Sequence, residues 1–217
     1  MWVVIFSVAM AWVESSVVVY LRGLIVRLQP FQGDPLPRLG VVGNAEIIRE
    51  GATLVMLFVV GRLAGTTRRS RWALSLLAFG VWDLLYYLFL ILLVGWPRSL
   101  LDWDILFLIP LPWWGPVLAP AIVSLVFVVG GMLVGLFDTP ELPLWPVRPA
   151  VVAGAAGIVP VLYSFMATSV RALPDGIEAV RKALPSEFPW VCFLVGLVLL
   201  MIPVLDVMRQ LLRRLRR

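Results

Sequence analysis

The sequence predicts an all-α fold, a polytopic transmembrane helical bundle of about six spans, with a proline-broken, re-entrant segment before span four. Two observations carry this expectation. Apolar residues make up 61% of the chain and mean hydropathy is +0.99, well above the roughly 45–50% apolar content of soluble domains. Charged residues are only 14%, and they leave several runs close to the roughly 20 apolar residues that a helix needs to cross a bilayer. A chain of 217 residues has room for these spans and short connections, hence one integral membrane domain over 1–217.

Span one is expected over 2–21 and contains Glu14, Ser15 and Ser16. Ala9-Met10-Ala11 has the small-x-small form of a signal-peptidase site. No basic segment precedes it and the apolar run continues past it, so it reads as a retained span. Arg22 and Arg27 follow, then a loop rich in Pro and Gly over 29–43 that includes Arg38. Span two, 45–65, opens with Glu46, Arg49 and Glu50, and Arg68, Arg69 and Arg71 follow it. Span three, 72–96, holds Asp83 with Tyr86 and Tyr87 one turn on, between Trp72 and Trp96; tryptophan at both ends fits the interfacial belt.

From Ile105 to Phe137 the apolar stretch has 33 residues, too many for one straight crossing of about 30 Å at roughly 1.5 Å per residue. Pro110, Pro112, Pro116 and Pro120 argue for a break, giving a dipping segment over 105–112 and span four over 116–137. Gly131 and Gly135 in that span form a GxxxG pair suited to close helix packing. Prolines at 140, 143, 146 and 149 fall on every third residue and suggest a polyproline II connector. Span five, 150–169, is rich in Gly and Ala. Residues 174–184 read as a surface helix, with Ile177, Val180 and Leu184 opposite Glu178, Arg181 and Lys182. Span six is expected over 190–208, followed by a basic tail with Arg209, Arg213, Arg214, Arg216 and Arg217.

Absence of histidine removes the usual axial haem ligand, E-x-x-H di-iron sites, H-E-x-x-H zinc sites and Ser–His pairs. No cofactor is expected. The chain offers carboxylate, Tyr, Arg, hydroxyl and backbone groups, a set suited to protons, hard cations and anionic head groups. A lone Cys192 leaves the redox compartment unread. The positive-inside rule puts the arginines after spans two and six on the cytoplasmic side, so both termini are expected there. Arg22, Arg27 and Arg38 are exceptions on the outer side. The tail arginines are expected to hold anionic lipid at roughly 1 kcal/mol per charge.

Depth brings the acids together. At 1.5 Å per residue Glu14 lies about 18 Å and Asp83 about 16 Å into the membrane, with Glu46 and Glu50 at and just below the outer surface. An intramembrane acid costs about 2.5–3.5 kcal/mol and calls for a partner. The expected proton or cation site is therefore Glu14, Glu46, Glu50 and Asp83, with Tyr86 and Tyr87 as hydrogen-bond partners and Asp104 at the outer entrance. The metal, if any, is open. Structural roles stand beside this: Glu14 locked to an arginine of another span, Asp83 satisfied by tyrosines or backbone, Glu46 and Glu50 at head-group depth with Arg22 or Arg49.

Glu46-x-x-Arg49-Glu50-x-Ala52-Thr53, Trp82-Asp83-x-x-Tyr86-Tyr87, Gly95-Trp96-Pro97-x-Ser99-Leu100, Trp103-Asp104-x-Leu106-Phe107-Leu108-Ile109-Pro110 and Pro112-Trp113-x-Gly115-Pro116-Val117 resemble a set of bacterial multi-pass membrane proteins of unknown function. The resemblance covers about residues 1–125. It implies a bacterial inner (cytoplasmic) membrane location and carries no activity. The functional expectation is a non-enzymatic protein handling a proton or small cation. The alternative is a structural or accessory subunit of a larger membrane complex, with a membrane-protein partner or a second copy. A third option is an enzyme on lipid-linked substrate using Asp102 or Asp104. No nucleic acid is expected.

Overall fold

A computed structural model describes residues 2–24 and 40–216. Arg27, Arg38, Arg217 and most of the loop expected over 29–43 lie outside the described residues. Six long helices follow in order: α1 (Trp2–Leu24), α2 (Val41–Ala64), α3 (Arg68–Val94), α4 (Leu118–Phe137), α5 (Arg148–Ala172) and, after the short α6 (Ile177–Lys182), α7 (Trp190–Leu215). Five of them, α1, α3, α4, α5 and α7, are long and apolar enough to cross a membrane. The helix α2 has 24 residues, but Glu46, Arg49, Glu50 and Arg62 dilute its apolar run. Large apolar side chains such as Leu92, Val159 and Val198 point outward, as helices solvated by lipid require.

The centre of the bundle is α3, which packs against α1, α2 and α4. It starts with a capping box: Thr67 Oγ1 accepts the Ser70 N–H at 3.0 Å while Ser70 Oγ accepts the Thr67 N–H at 2.9 Å. It stops at Gly95, whose φ of 66° is the left-handed conformation that glycine adopts without strain. Alongside it, α1 runs in the same direction, with the Ser15 hydroxyl donating to Tyr86 O and Arg22 stacked over Trp96. The second half of the bundle is the α5–α7 pair, joined to the first along α4 and α7.

The proline-broken segment is a β-hairpin. Trp103–Ile105 (β1) pairs antiparallel with Trp114–Pro116 (β2) in the register Trp103↔Pro116, Asp104↔Gly115 and Ile105↔Trp114. Two further bonds close it, Leu106 N–H to Trp113 O at 2.9 Å and Trp113 N–H to Phe107 O at 2.8 Å. Prolines 110, 112 and 116 cannot donate in a helix, and the hairpin satisfies the backbone between them. Consequently α4 begins at Leu118 rather than at Pro116. The hairpin loop bridges the two halves: Phe107 joins the cluster of Leu57 and Trp82, Trp113 stacks on Phe165, and the Ser169 hydroxyl donates to Pro112 O at 2.6 Å.

At the other end, the 138–147 connector has no regular secondary structure and is tied down by side chains rather than held as a free polyproline rod. The Val147 N–H donates to Asp206 Oδ2, and Gln210 donates to Trp145 O. Helix α7 continues beyond the expected 208 through the basic tail, because Arg214 donates to the Leu142 and Pro143 carbonyls. Arg209 and Arg213 stay exposed on it, and Arg216 is exposed just past its end. The expected surface helix is a 3-10 turn, Leu173–Asp175, followed by α6.

Asp138 organises this end. Its buried carboxyl accepts from the Thr67 hydroxyl, from Arg69 Nε at 2.7 Å and from the Leu144 N–H at 2.8 Å. Burial pushes the carboxyl up, but these three donors outweigh it and hold the group below the ordinary carboxylate range. A depressed folded value gives stability that is present above the unfolded value and lost as pH falls through the folded one. Asp138→Asn is therefore expected to cost about 1–3 kcal/mol at pH 7 and much less once the pH has fallen through the depressed folded value. Thermal unfolding in detergent at the two pH values checks this; an equal loss at both would contradict it.

Candidate functional site

Glu14 sits on α1 and Glu46, Arg49 and Glu50 sit on the second and third turns of α2, so one guanidinium meets carboxyls from both helices. Arg49 Nη1 donates to Glu14 Oε2. Its Nε and Nη2 form a fork on Glu46, at 2.8 and 2.5 Å. The Thr53 hydroxyl, one turn further on α2, donates to Glu14 Oε2 at 3.3 Å. Glu14, Glu46 and Glu50 are all buried. Bidentate, charge-assisted bonds of this kind are the strong ones, and Arg is the cation suited to them.

Glu50 lies one turn beyond Glu46 and takes a different partner. Its Oε2 accepts the Leu108 N–H of the hairpin loop at 2.8 Å, so the loop is pinned to α2 by an acid. Proline on either side of the loop tip leaves few N–H groups there, and Leu108 gives its own to Glu50. Glu14 and Glu46 thus share a single arginine, and Glu50 follows one turn on with a backbone N–H as its partner.

Asp83 stands apart from these three. It is buried on the side of α3 that faces α4, where the Ser124 hydroxyl donates to its Oδ2 at 2.8 Å. Its expected partners, Tyr86 and Tyr87, one turn on, pack edge to face on each other at 5.0 Å, and the hydrogen bond to Asp83 comes from Ser124 instead. Equal depth was the reason for grouping Asp83 with the other acids, and depth says nothing of direction around a helix axis. Among the described residues no group of three or more acidic side chains has the geometry to hold a metal ion.

Asp104 is fully buried on β1 and pairs with Arg22 from the end of α1, Nη2 to Oδ1 at 3.3 Å. The same Oδ1 accepts the Ile105 N–H at 2.9 Å. The Arg22 guanidinium lies over the Trp96 ring, 4.6 Å from its centroid, a cation–π contact that helps offset its burial. Burial pushes the Asp104 carboxyl up to about 6, against the pull of Arg22 and of the Ile105 N–H. Asp102, the other acid of this linker, accepts from the Arg98 and Ser99 N–H groups at the surface.

Sequence reasoning missed the Arg22–Asp104 pair and the Asp83–Ser124 bond. Both are long-range contacts set by the hairpin and by the α3–α4 crossing. The one available signal was charge balance: an arginine at the end of span one needs an acid at the same level, and Asp104 is one. No protein-family model matches the chain, and no curated protein or solved structure matches it.

Proposed function

We propose that the chain is a six-span protein of a bacterial inner membrane, both termini cytoplasmic, that handles a proton or small cation at the Glu14–Arg49–Glu46–Glu50 cluster. Counting α2 as a span supports six, since its length matches the others and its charged turns face α1 and the hairpin. The observation that carries the reading is the charge count: three buried carboxyl groups share the cluster with one guanidinium, Glu14 and Glu46 bonded to Arg49 and Glu50 to the Leu108 N–H. Full ionisation leaves two negative charges without a partner in a low-dielectric region, where an added positive charge is strongly favoured. The non-helical backbone beside Glu50 fits this, because such backbone at membrane depth lies in protein or lines a polar path. Tail arginines exposed on α7 suit anionic lipid on the cytoplasmic face.

The test is thermal stability of the purified protein against pH and against Na⁺, K⁺ and Mg²⁺. Wild type is expected to shift with pH or with one cation, and Glu14→Gln and Glu50→Gln are expected to flatten that response. Identical responses in all three proteins would end this reading. A second reading, an accessory subunit, draws on an apolar groove of about 420 Å³ between α3, α4, α5 and α7, lined by Trp72, Phe127, Gly154 and Pro203. It requires a partner transmembrane helix, and an isolated chain that is stable and monodisperse would argue against it.

A further inference from the structure

The apolar groove of about 420 Å³ between the two halves of the bundle has a definite depth. Its walls lie within residues 126–134 of α4, 151–158 of α5 and 200–207 of α7, with Trp72 and Leu76 of α3 beside them. At roughly 1.5 Å per residue these stretches are about 10–12 Å long, less than half of a hydrocarbon core of about 30 Å. Phe127 and Leu200 line the inner end and pack in the core cluster with Val123, Val161 and Leu197, which closes the groove toward the bilayer centre. The other end begins at Trp72 and Trp145, beside the arginine-rich face, and tryptophan belongs at the level where membrane meets water. The groove is therefore one leaflet deep.

We propose that this groove is a lipid site: it holds one acyl chain of an anionic phospholipid from the leaflet at the arginine-rich end, with the phosphate at Arg68 and Arg148. An acyl chain matches the depth. A partner helix crosses the whole core and, at about 10 Å across, fills roughly 2,000 Å³, against the groove's 420 Å³. Charge at the mouth selects the head group. Arg68 stands four residues before Trp72 and Arg148 three before Val151, spacings that put each on the groove face of its helix. Both are exposed, and among the described residues neither guanidinium has an acid partner. A third cation, Arg62, lies over the Trp72 ring at 5.6 Å. Of the acids at this end, Asp138 is bound to Arg69 and Asp206 accepts from the Val147 N–H and from Gln210; Glu141 is exposed in the connector. Guanidinium forks suit phosphate oxygens, and basic side chains at this level draw anionic head groups. The proposal stands apart from the reading of the Glu14 cluster and does not depend on it.

Photolabelling of the full chain in phosphatidylcholine nanodiscs tests this, with trace phosphatidylglycerol or trace phosphatidylcholine carrying the same diazirine acyl chain. Tandem mass spectrometry locates the label. Phosphatidylglycerol is expected to label the groove residues Ala155 and Val204 several-fold more than phosphatidylcholine does, while the neighbouring Val152 and Leu205, exposed and outside the groove, are labelled alike by both. The double variant Arg68→Gln with Arg148→Gln, both at exposed positions, is expected to fold and to lose the preference. Ala155→Phe, which fills the groove from an exposed position, is expected to reduce labelling of Val204 several-fold and to leave Leu205 unchanged. Equal labelling of Ala155 by the two probes overturns the proposal, as does a preference that survives in the folded double variant. A groove that neither probe labels also overturns it, and a polypeptide co-purifying in fixed ratio would then be the occupant.

Discussion

Arg49→Met is expected to destabilise the folded chain by about 3–5 kcal/mol, the range for removing one partner of a buried ion pair. The loss is not the worth of the pair. It is the cost of leaving Glu14 and Glu46 buried with no cation between them, at side-chain exposures of 9% and 10%. The corollary separates this from simple loss of packing: Arg49→Met combined with Glu14→Gln and Glu46→Gln is expected to recover most of the stability, because neutral amides tolerate the site. Unfolding of the three proteins, wild type, Arg49→Met and the triple variant, by denaturing detergent, followed by circular dichroism, measures both effects. A triple variant as weak as Arg49→Met alone would mean that the arginine acts through its stem and not through its charge.

Gly131→Ala is expected to cost about 1–3 kcal/mol by overpacking, whereas Gly135→Ala is expected to be neutral or stabilising. Both glycines belong to the same GxxxG pair on α4, but they face different obstacles on α3. A methyl group at Gly131 would lie 2.6 Å from the Ala73 carbonyl oxygen and 2.9 Å from the Leu77 nitrogen, which are backbone and cannot move aside. At Gly135 the near atom is Leu74 Cδ2 at 2.8 Å, the end of a side chain that can rotate away. The same unfolding measurement distinguishes them. Equal effects at the two positions would show that α3 and α4 pack less closely than these distances require.

Much of the architecture was legible because lipid makes apolar length decisive: the runs around Val13, Phe79, Val128, Ala156 and Val198 each became a long helix. Helix ends were less legible where side chains from elsewhere hold them. Arg214 extends α7 by reaching the 142–143 carbonyls, a contact that no local pattern announces. The hairpin was visible only as a failure of helix, since strands of three residues are too short for alternation to register.

The site divides in the same way. Glu46 and Glu50 were readable as one helix face because they are four residues apart, and Arg49 beside them gave the cation. That Glu14 joins them follows from its depth and from the need of an intramembrane acid for a partner. Asp83 satisfied the depth argument equally well and went to Ser124 instead, because rotation about the α3 axis is fixed by packing against α4. Asp104 had been expected at the entrance, and its partner Arg22 was invisible without the hairpin that buries it.

The most direct measurement is proton flux through the purified protein in liposomes carrying an internal pH-sensitive dye, under an imposed membrane potential. Wild type is expected to acidify the interior faster than empty liposomes, and Glu14→Gln and Glu50→Gln are expected to bring the rate down several-fold while remaining folded. Flux in both variants equal to wild type, or wild type equal to empty liposomes, would contradict the account.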